Sequence, residues 1–277
     1  MPSAAASNLP FRVASVNYLN ARPLIEGLSE RAEVKLVLDV PAKLLSGLRE
    51  RRYDVALLPV IDYQRLDGLR IIPVGGIGCD GPTLTVRVFS HVPFHRITEL
   101  ACDPESHTSV ALARIILEER YGVRPETRSL LDASNRPTEA RLLIGDKVVC
   151  EEPVGFEHQL DLGAAWRELT GLPFVFAVWT AAADVLLGQL PQWLWEARRL
   201  GIDRLESIIR RYAIPRGWPA GLALQYLSIY LNYDIGPRQL QAIELFHRKA
   251  AALGLIDSPV RPLMVVPAVA GATIAPT

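Results

Sequence analysis

The sequence predicts an α/β protein of two lobes, with a ligand cleft between the lobes and a helical C-terminal segment. Three observations lead to this prediction. Short β-rich runs alternate with amphipathic helical stretches from the start of the chain, two long extended runs interrupt this alternation, and only helical patterns follow the second run.

The first lobe begins with the strand "FRVASVNYL" (11–19) and the helix "RPLIEGLSE" (22–30), whose first turn accommodates Pro23. The strand "EVKLVLDV" (33–40) and the helix "PAKLLSGLRERR" (41–52) follow. Two further strands are "YDVALLPV" (53–60) and "LRIIPV" (69–74). This βαβαβ order predicts a parallel, doubly wound sheet.

The second lobe is entered through the long extended run "TLTVRVFSHVPF" (83–94). It continues with the strand "ITELACD" (97–103), the helix "SHTSVALARIILEERYG" (106–122) and the strands "RPETRSL" (124–130) and "EARLLIGDKVVC" (139–150). The second extended run, "FVFAVWTAA" (174–182), leads back to the first lobe. Three helical stretches then follow, at 189–213, 219–232 and 237–254.

Two α/β units joined by two extended crossings are typical of the type II periplasmic-binding-protein fold. The predicted divisions are 1–88 for the first part of lobe one, 89–175 for lobe two, and 176–277 for the return to lobe one and the C-terminal helices. Ligands of such folds lie in the cleft, where strand ends and helix N-termini converge.

Composition excludes several classes of function. The 277 residues are 49% apolar and 22% charged, with 30 basic and 30 acidic side chains, so neither nucleic acid nor an anionic membrane surface is an expected partner. The three cysteines are scattered along the chain, the N-terminus lacks the features of a secretory signal, and no apolar run is long enough to cross a membrane. These observations predict a cytoplasmic protein with reduced thiols. The oligomeric state is not predicted.

Two apparent motifs fail their structural tests. "GIGCDG" (76–81) matches a dinucleotide fingerprint, but Pro82 and a β-branched run follow it where a helix is required, so we expect the glycines to turn the chain before a hinge strand. His91 and His95 are separated by Pro93, and no other histidine or acidic pair completes a ligand set, so no metal site is predicted.

Polar side chains collect where the cleft is expected. Ser106, Thr108 and Ser109 precede or begin the long helix of lobe two, where they either cap the helix or hold a carboxylate together with the helix dipole. Asn20 has the same two readings at the start of the first helix. Thr85 lies near the hinge, and Gly145 and Asp146 lie at a strand end facing the cleft.

Six blocks in register carry a family resemblance: "VNYLNARPLIEGL", "YDVALLPVIDY", "GCDGPTLTVRVFSHVP", "SHTSVAL", "LLIGD" and "AWRELTGLPFVFAVW". Together they resemble the chorismate dehydratases of the futalosine route to menaquinone. The resemblance implies a cytoplasmic, cofactor-free carbon–oxygen lyase that removes water from chorismate to give 3-[(1-carboxyvinyl)oxy]benzoate. It also implies that the enolpyruvyl carboxylate of the substrate acts as the base.

The resemblance assigns roles to single residues. Asn20 matches the family's asparagine and is expected to hold or polarise the substrate at its reacting ring positions. Thr85, where relatives usually have serine, is assigned to carboxylate binding, as are Ser106, Thr108 and Ser109, which match a Ser-Arg-Thr-Ser run. His107 stands where relatives commonly have arginine. Gly145 and Asp146 are further substrate-binding candidates.

Two other functions remain open. The chain resembles in fold a solute-binding protein that captures a small carboxylate without reaction. A sister enzyme, 1,4-dihydroxy-6-naphthoate synthase, also shares the fold, although its N-terminal motif differs from "YLNARPL".

Overall fold

The structure, a computed structural model, describes residues 9–103, 106–131, 138–151 and 154–267. It contains two five-stranded sheets with helices packed around them. The strands, in chain order, are β1 (Phe11–Val16), β2 (Val34–Asp39), β3 (Val55–Pro59), β4 (Leu69–Cys79), β5 (Val86–Ser90), β6 (Glu99–Cys102), β7 (Glu126–Ser129), β8 (Ala140–Ile144), β9 (His158–Asp161) and β10 (Phe174–Ala182).

The helices complete each unit and form the C-terminal segment. They are α1 (Arg22–Ile25), α2 (Pro41–Arg49), α3 (His107–Tyr121), α4 (Asp146–Cys150), α5 (Leu162–Thr170), α6 (Leu190–Asp203), α7 (Leu205–Ile208), α8 (Ala220–Gln225) and α9 (Pro237–Ala252). Two π-helical turns, Ile209–Ala213 and Tyr226–Tyr230, continue α7 and α8. Within the described ranges, no helix is long and apolar enough to cross a membrane.

The first sheet has the order β2-β1-β3-β10-β4 and the second β7-β6-β8-β5-β9. The prediction of a parallel sheet in lobe one is wrong in part. β1 pairs in parallel with β2 and β3, but β10 lies between β3 and β4 and runs antiparallel to both. The returning strand β10 therefore separates β3 from β4, which a simple βαβαβ order would have placed side by side.

The chain passes from one sheet to the other at the two predicted crossings. β5, which begins at Val86, belongs to the second sheet, and β10, which begins at Phe174, belongs to the first. The divisions 1–88, 89–175 and 176–277 remain a prediction, and their outermost residues, 1–8 and 268–277, lie outside the described part of the chain.

The expectation that the glycines of "GIGCDG" turn the chain before the hinge is wrong for Gly76 and Gly78, whereas Gly81 lies in a bend after β4 with a φ of 136°, which favours glycine. β4 continues through Gly76 and Gly78 to Cys79 and pairs with β10 along this stretch. A Cβ on Gly76 would lie 2.7 Å from the carbonyl oxygen of Ala177, and one on Gly78 would lie 2.6 Å from that of Phe174. These glycines thus permit the close approach of two strands.

Two predicted elements are shorter than expected. The helix after β1 is the single turn α1, because Glu26 already has an extended backbone, and a separate 3₁₀ turn follows at Leu28–Glu30. The strand predicted over 139–150 ends at Ile144, and α4 takes up the rest. β9 and α5 were not among the predicted elements.

One continuous cluster of buried apolar side chains runs through both sheets and the C-terminal helices. Within it the rings of Trp166, Phe174 and Phe246 pack together, with the Phe174 centroid 5.2 Å from that of Trp166 and 5.1 Å from that of Phe246. These rings come from α5, β10 and α9, so the C-terminal segment packs where the chain returns from the second sheet to the first.

Candidate functional site

A cleft of about 300 Å3 lies between the two sheets. Residues from both lobes and from the C-terminal segment line it. The lining includes all seven residues singled out from the sequence: Asn20, Thr85, Ser106, Thr108, Ser109, Gly145 and Asp146. Their convergence is a property of the fold, because the ends of β1 and β8, the first residues of α3 and the crossing into β5 all face this space. Their roles toward a ligand remain predictions.

The N-terminus of α3 supplies three hydroxyl groups. Ser106 is the N-cap residue, yet its side chain makes no capping hydrogen bond, so capping does not account for this hydroxyl. Ser106, Thr108 and Ser109 are each less than a tenth exposed. The early N–H groups of a fifteen-residue helix carry its positive dipole end, which favours an anion at this place.

Asn20 lies in the 3₁₀ turn Leu19–Ala21 that follows β1. The alternative that Asn20 caps the first helix is wrong, because Ala21 is the N-cap residue of α1 and no side chain caps it. The Asn20 Oδ1 atom is buried and has no hydrogen-bond partner among the described residues. Its neighbour Arg22 is not part of the cleft lining; it bonds to the Oδ1 of Asn17 and stacks on Tyr212.

Thr85 is held by the crossing between the sheets. The Asp161 carboxylate accepts hydrogen bonds from the N–H groups of Thr83 and Leu84, at 3.0 Å and 2.8 Å, and also caps α5. The Thr85 Oγ1 atom lies 2.9 Å from the Tyr226 Oη atom. Thr85 thereby has a fixed position on the cleft wall.

Gly145 joins β8 to α4 with a φ of 63°, which favours glycine, and its N–H donates to the Thr85 carbonyl at 2.9 Å. Asp146 is the first residue of α4, and its Oδ1 accepts a hydrogen bond of 2.8 Å from the Trp218 indole. One carboxylate oxygen of Asp146 is therefore already engaged by the protein.

Two basic side chains of the cleft lining, Lys147 and His107, lie against carboxylates. The Lys147 Nζ atom lies 2.8 Å from Asp103 Oδ2, and His107 Nδ1 lies 3.0 Å from Asp62 Oδ2. Apolar side chains form the walls between these polar groups, among them Val16, Leu57, Ile77 and Phe176. The cleft thus combines apolar walls with amide and hydroxyl groups, an arrangement suited to a ring that carries anionic substituents.

The two buried cysteines are not suited to act as nucleophiles. Burial raises the pKa of the Cys79 thiol to about 12 and that of Cys102 to about 12, so both stay protonated near neutrality. Across the described ranges, no three His, Cys, Asp or Glu side chains are grouped so that they could bind a metal ion. The expectation that no cofactor is needed stays a prediction.

Sequence reasoning missed Tyr226, Thr83, Lys147 and Asp161. Thr83 lies two residues before Thr85, and Lys147 directly follows Asp146, so both were within reach of the motifs already noted. Tyr226 carries no local signal, because it belongs to a helical stretch that reaches the cleft only through long-range packing.

Comparison with known proteins identifies the family. The sequence matches the menaquinone biosynthesis family over residues 11–252. A chorismate dehydratase of Thermus thermophilus is 30% identical over 274 residues, covering 90% of this chain and 97% of that protein. A chorismate dehydratase of Campylobacter jejuni is 28% identical over 243 residues, covering 86% of this chain and 92% of that protein.

Solved structures show the same fold at lower identity. A protein from Archaeoglobus fulgidus superposes with a TM-score of 0.73 at 19% identity, covering 91% of this chain and all (100%) of that one. The periplasmic aliphatic sulphonate binding protein of Escherichia coli gives a TM-score of 0.66 at 16% identity, covering 94% and 95% of the two chains. The predicted periplasmic-binding-protein-like fold is confirmed, and the chain belongs to the menaquinone biosynthesis family.

Proposed function

We propose that this protein is a chorismate dehydratase, a hydro-lyase that converts chorismate to 3-[(1-carboxyvinyl)oxy]benzoate and water. The observation that carries the proposal is the convergence of Asn20, Thr85 and the three α3 hydroxyl groups on one apolar-walled cleft, in a chain that covers almost the whole length of two chorismate dehydratases. The family membership makes menaquinone biosynthesis the pathway in which this reaction serves.

The reaction requires mainly that the substrate be held in the reacting orientation. One ring carbon of chorismate gives up a proton to the base, and the adjacent carbon gives up its hydroxyl group as hydroxide. The base then passes the proton to the hydroxide, so that water is the second product. The electron pair of the broken C–H bond becomes part of the new aromatic ring, so the reaction has a strong driving force of its own. A rigid set of hydrogen-bonding groups around the ring then contributes by holding the reacting geometry and stabilising developing charge.

Each group has a part in this proposal. Ser106, Thr108 and the N-terminal amides of α3 bind one carboxylate of the substrate, since hydroxyl and amide donors at a helix N-terminus favour an anion. Thr85 contributes a hydroxyl group from the crossing into β5. Asn20, whose Oδ1 has no partner in the described part of the chain, contacts the reacting side of the ring.

The proton acceptor proposed is the enolpyruvyl carboxylate of the substrate itself. The acidic side chains in the cleft lining, Asp103 and Asp146, already contact Lys147 and Trp218. Each of these carboxylates therefore already has a partner within the protein. An internal base also keeps the proton transfer within one bound molecule, which is favoured when the cleft fixes its conformation.

The experiment is to mix the purified protein with chorismate and to follow the loss of the diene absorbance, with identification of the product by mass spectrometry. Formation of 3-[(1-carboxyvinyl)oxy]benzoate supports the proposal. Tight binding of chorismate without any turnover would instead indicate a solute-binding protein. Turnover of a cyclic futalosine derivative, with chorismate left intact, would indicate the sister naphthoate synthase.

A further inference from the structure

A second cavity, of about 400 Å3, adjoins the cleft at the first residue of α3. Among the described residues, His107 alone lines both spaces. The cavity is lined by three arginines, a histidine and two hydroxyl residues: Arg65, Arg114, Arg128, His107, Thr127 and Ser129. No described residue of the lining is acidic, although the chain as a whole has 30 basic and 30 acidic side chains. Positive groups are therefore concentrated on this wall.

The three guanidinium groups come from different parts of the fold. Arg65 ends the 3₁₀ turn Val60–Arg65 that follows β3 in the first lobe. Arg114 lies on α3, about two turns after His107, so these two residues share one face of the helix. Arg128 lies on β7, the edge strand of the second sheet. The cavity is thus built by both lobes, as the cleft is.

Arg114 is the basic group of this lining that the fold leaves unpaired. It is partly buried, yet within the described part of the chain it makes no ion pair and no hydrogen bond through its side chain. Arginine side chains removed from water are normally paired, because a desolvated charge is costly without a partner. The guanidinium N–H donors of Arg114 are therefore available to a ligand in the cavity.

The other polar groups of the cavity are engaged only in part. The Arg65 Nη1 atom lies 2.7 Å from Asp62 Oδ1. The Arg128 Nη2 atom lies 3.2 Å from Glu99 Oε2, with a second carboxylate at 3.8 Å. These carboxylates do not line the cavity, and the remaining N–H groups of both guanidinium groups stay free to donate. The Ser129 Oγ atom accepts a backbone hydrogen bond of 3.2 Å, which leaves its proton for a ligand.

We propose that this cavity is a second binding site, which takes a small organic anion that carries two or more phosphate or carboxylate groups. Guanidinium groups bind both kinds of group through paired, charge-assisted hydrogen bonds. Three of them on separate elements match a ligand with several anionic groups. The cavity volume of about 400 Å3, against about 300 Å3 for the cleft, leaves room for more than a single inorganic ion.

The test is calorimetric titration of the full chain with two polyanions, pyrophosphate and citrate. We expect at least one of them to bind with a Kd below about 1 mM. Tighter binding of pyrophosphate would identify a phosphate-bearing ligand, and tighter binding of citrate would identify a polycarboxylate. A Kd above about 1 mM for both anions would overturn the inference.

Two variants show whether the anion occupies this cavity. Arg114→Gln removes the unpaired guanidinium group, and we expect it to raise the Kd about tenfold or more, because a hydrogen bond to a charged group is lost. Arg96→Gln removes the same charge from an exposed residue of the second lobe that does not line the cavity, and should keep the Kd within about twofold of wild type. Equal Kd values for the two variants would refute the assignment.

Ser106→Ala separates the cavity from the cleft. Ser106 lines the cleft but not the cavity, so this substitution should keep the Kd of the polyanion within about twofold of wild type. A loss of binding in Ser106→Ala that Arg114→Gln does not show would place the anion in the cleft and overturn the inference.

Circular dichroism checks the folding of each variant. If Arg114→Gln does not fold, Ser129→Ala takes its place and should raise the Kd about threefold or more, and an unchanged Kd would count against the site. None of these titrations requires turnover of chorismate, so they test this inference separately from the proposed function.

Discussion

The Nδ1 atom of His107 lies 3.0 Å from the Oδ2 atom of Asp62, so the first residue of α3 contacts the turn that follows β3 on the other side of the cleft. Asp62 is fully buried and also accepts a hydrogen bond of 2.7 Å from Arg65. Next to Asp62, the Ile61 N–H donates a hydrogen bond of 3.5 Å to the Thr108 Oγ1 atom. These contacts hold the N-terminus of α3 against the first lobe. This N-terminus carries the proposed carboxylate site.

The first prediction concerns this contact. His107→Ala leaves the Asp62 carboxylate with one partner fewer and frees the N-terminus of α3, so we expect the KM for chorismate to rise about three- to tenfold with a smaller change in kcat. His107→Arg introduces the residue common in relatives, which can also pair with Asp62, and should keep KM within about twofold of wild type. Steady-state kinetics on the three proteins measures both effects.

Two controls show whether the contact itself is responsible. Asp62 does not line the cleft, so a KM increase in Asp62→Asn reports the contact rather than a lost ligand bond. His95→Ala changes an exposed histidine of the second lobe outside the cleft and should be neutral. Equal KM values for His107→Ala and His95→Ala would show that the contact has no part in substrate binding.

The second prediction concerns Asn20. Asn20→Ala removes the amide that we propose to face the reacting side of the ring, and we expect kcat to fall about a hundredfold or more, the loss typical of one preorganised polar group in an active site. Asn17→Ala, an exposed residue at the same end of β1 that is not part of the cleft lining, should stay within about threefold of wild type. Single-turnover measurements with chorismate compare the two. Full activity of Asn20→Ala would remove the catalytic assignment.

The third prediction separates binding from catalysis. Ser106→Ala and Thr108→Ala each remove a hydroxyl group from the proposed carboxylate site, and a hydrogen bond to a charged group contributes about 1.5–3 kcal/mol. We therefore expect KM to rise about tenfold or more in each variant, with kcat less affected. Thr127→Ala, an exposed hydroxyl on β7, serves as the control. A loss confined to kcat would place these hydroxyl groups at the reacting ring instead.

The local pattern of apolar residues was sufficient to predict most strands, but it did not predict how the strands pair. β1, β2 and β3 lie where β-branched runs predict them, whereas the insertion of β10 between β3 and β4 depends on a contact between distant parts of the chain. The same limit explains Gly76 and Gly78. Only the approach of β10 shows why small residues are required there, and the pattern without that neighbour suggested a turn.

The site residues that follow strand ends could be predicted from the sequence more readily than Tyr226, which lies in a helical stretch. Asn20, Thr85 and Gly145 follow strand ends or crossings, and these positions converge in any sheet of this kind. Tyr226 lies in a helical stretch with ordinary amphipathic spacing, so its place in the cleft is set by how that stretch packs on Trp218 and Thr85. No motif in the sequence encodes that packing.

The last prediction concerns stability rather than activity. His247 is fully buried on α9, its Nε2 lies 2.7 Å from the Val60 carbonyl oxygen, and its Nδ1 lies 3.0 Å from the Gln64 side-chain nitrogen. A ring that donates through Nε2 and accepts through Nδ1 is neutral, and a proton on Nδ1 would face the Gln64 amide donor. Burial accordingly lowers the pKa of His247 from 6.5 to about 4.

Between pH 6.5 and 4 the unfolded chain therefore binds a proton at this histidine that the folded chain does not bind, so the free energy of unfolding falls as the pH falls through this window. The full effect of this one group amounts to about 3 kcal/mol. Urea denaturation at a series of pH values should show a steeper loss of stability in the wild type than in His247→Gln, which is less stable near neutrality but lacks the titrating ring. His95→Gln, the same substitution at an exposed histidine, serves as the matched control. Parallel slopes for the wild type and His247→Gln would mean that the histidine takes up its proton equally well in the folded and unfolded chains.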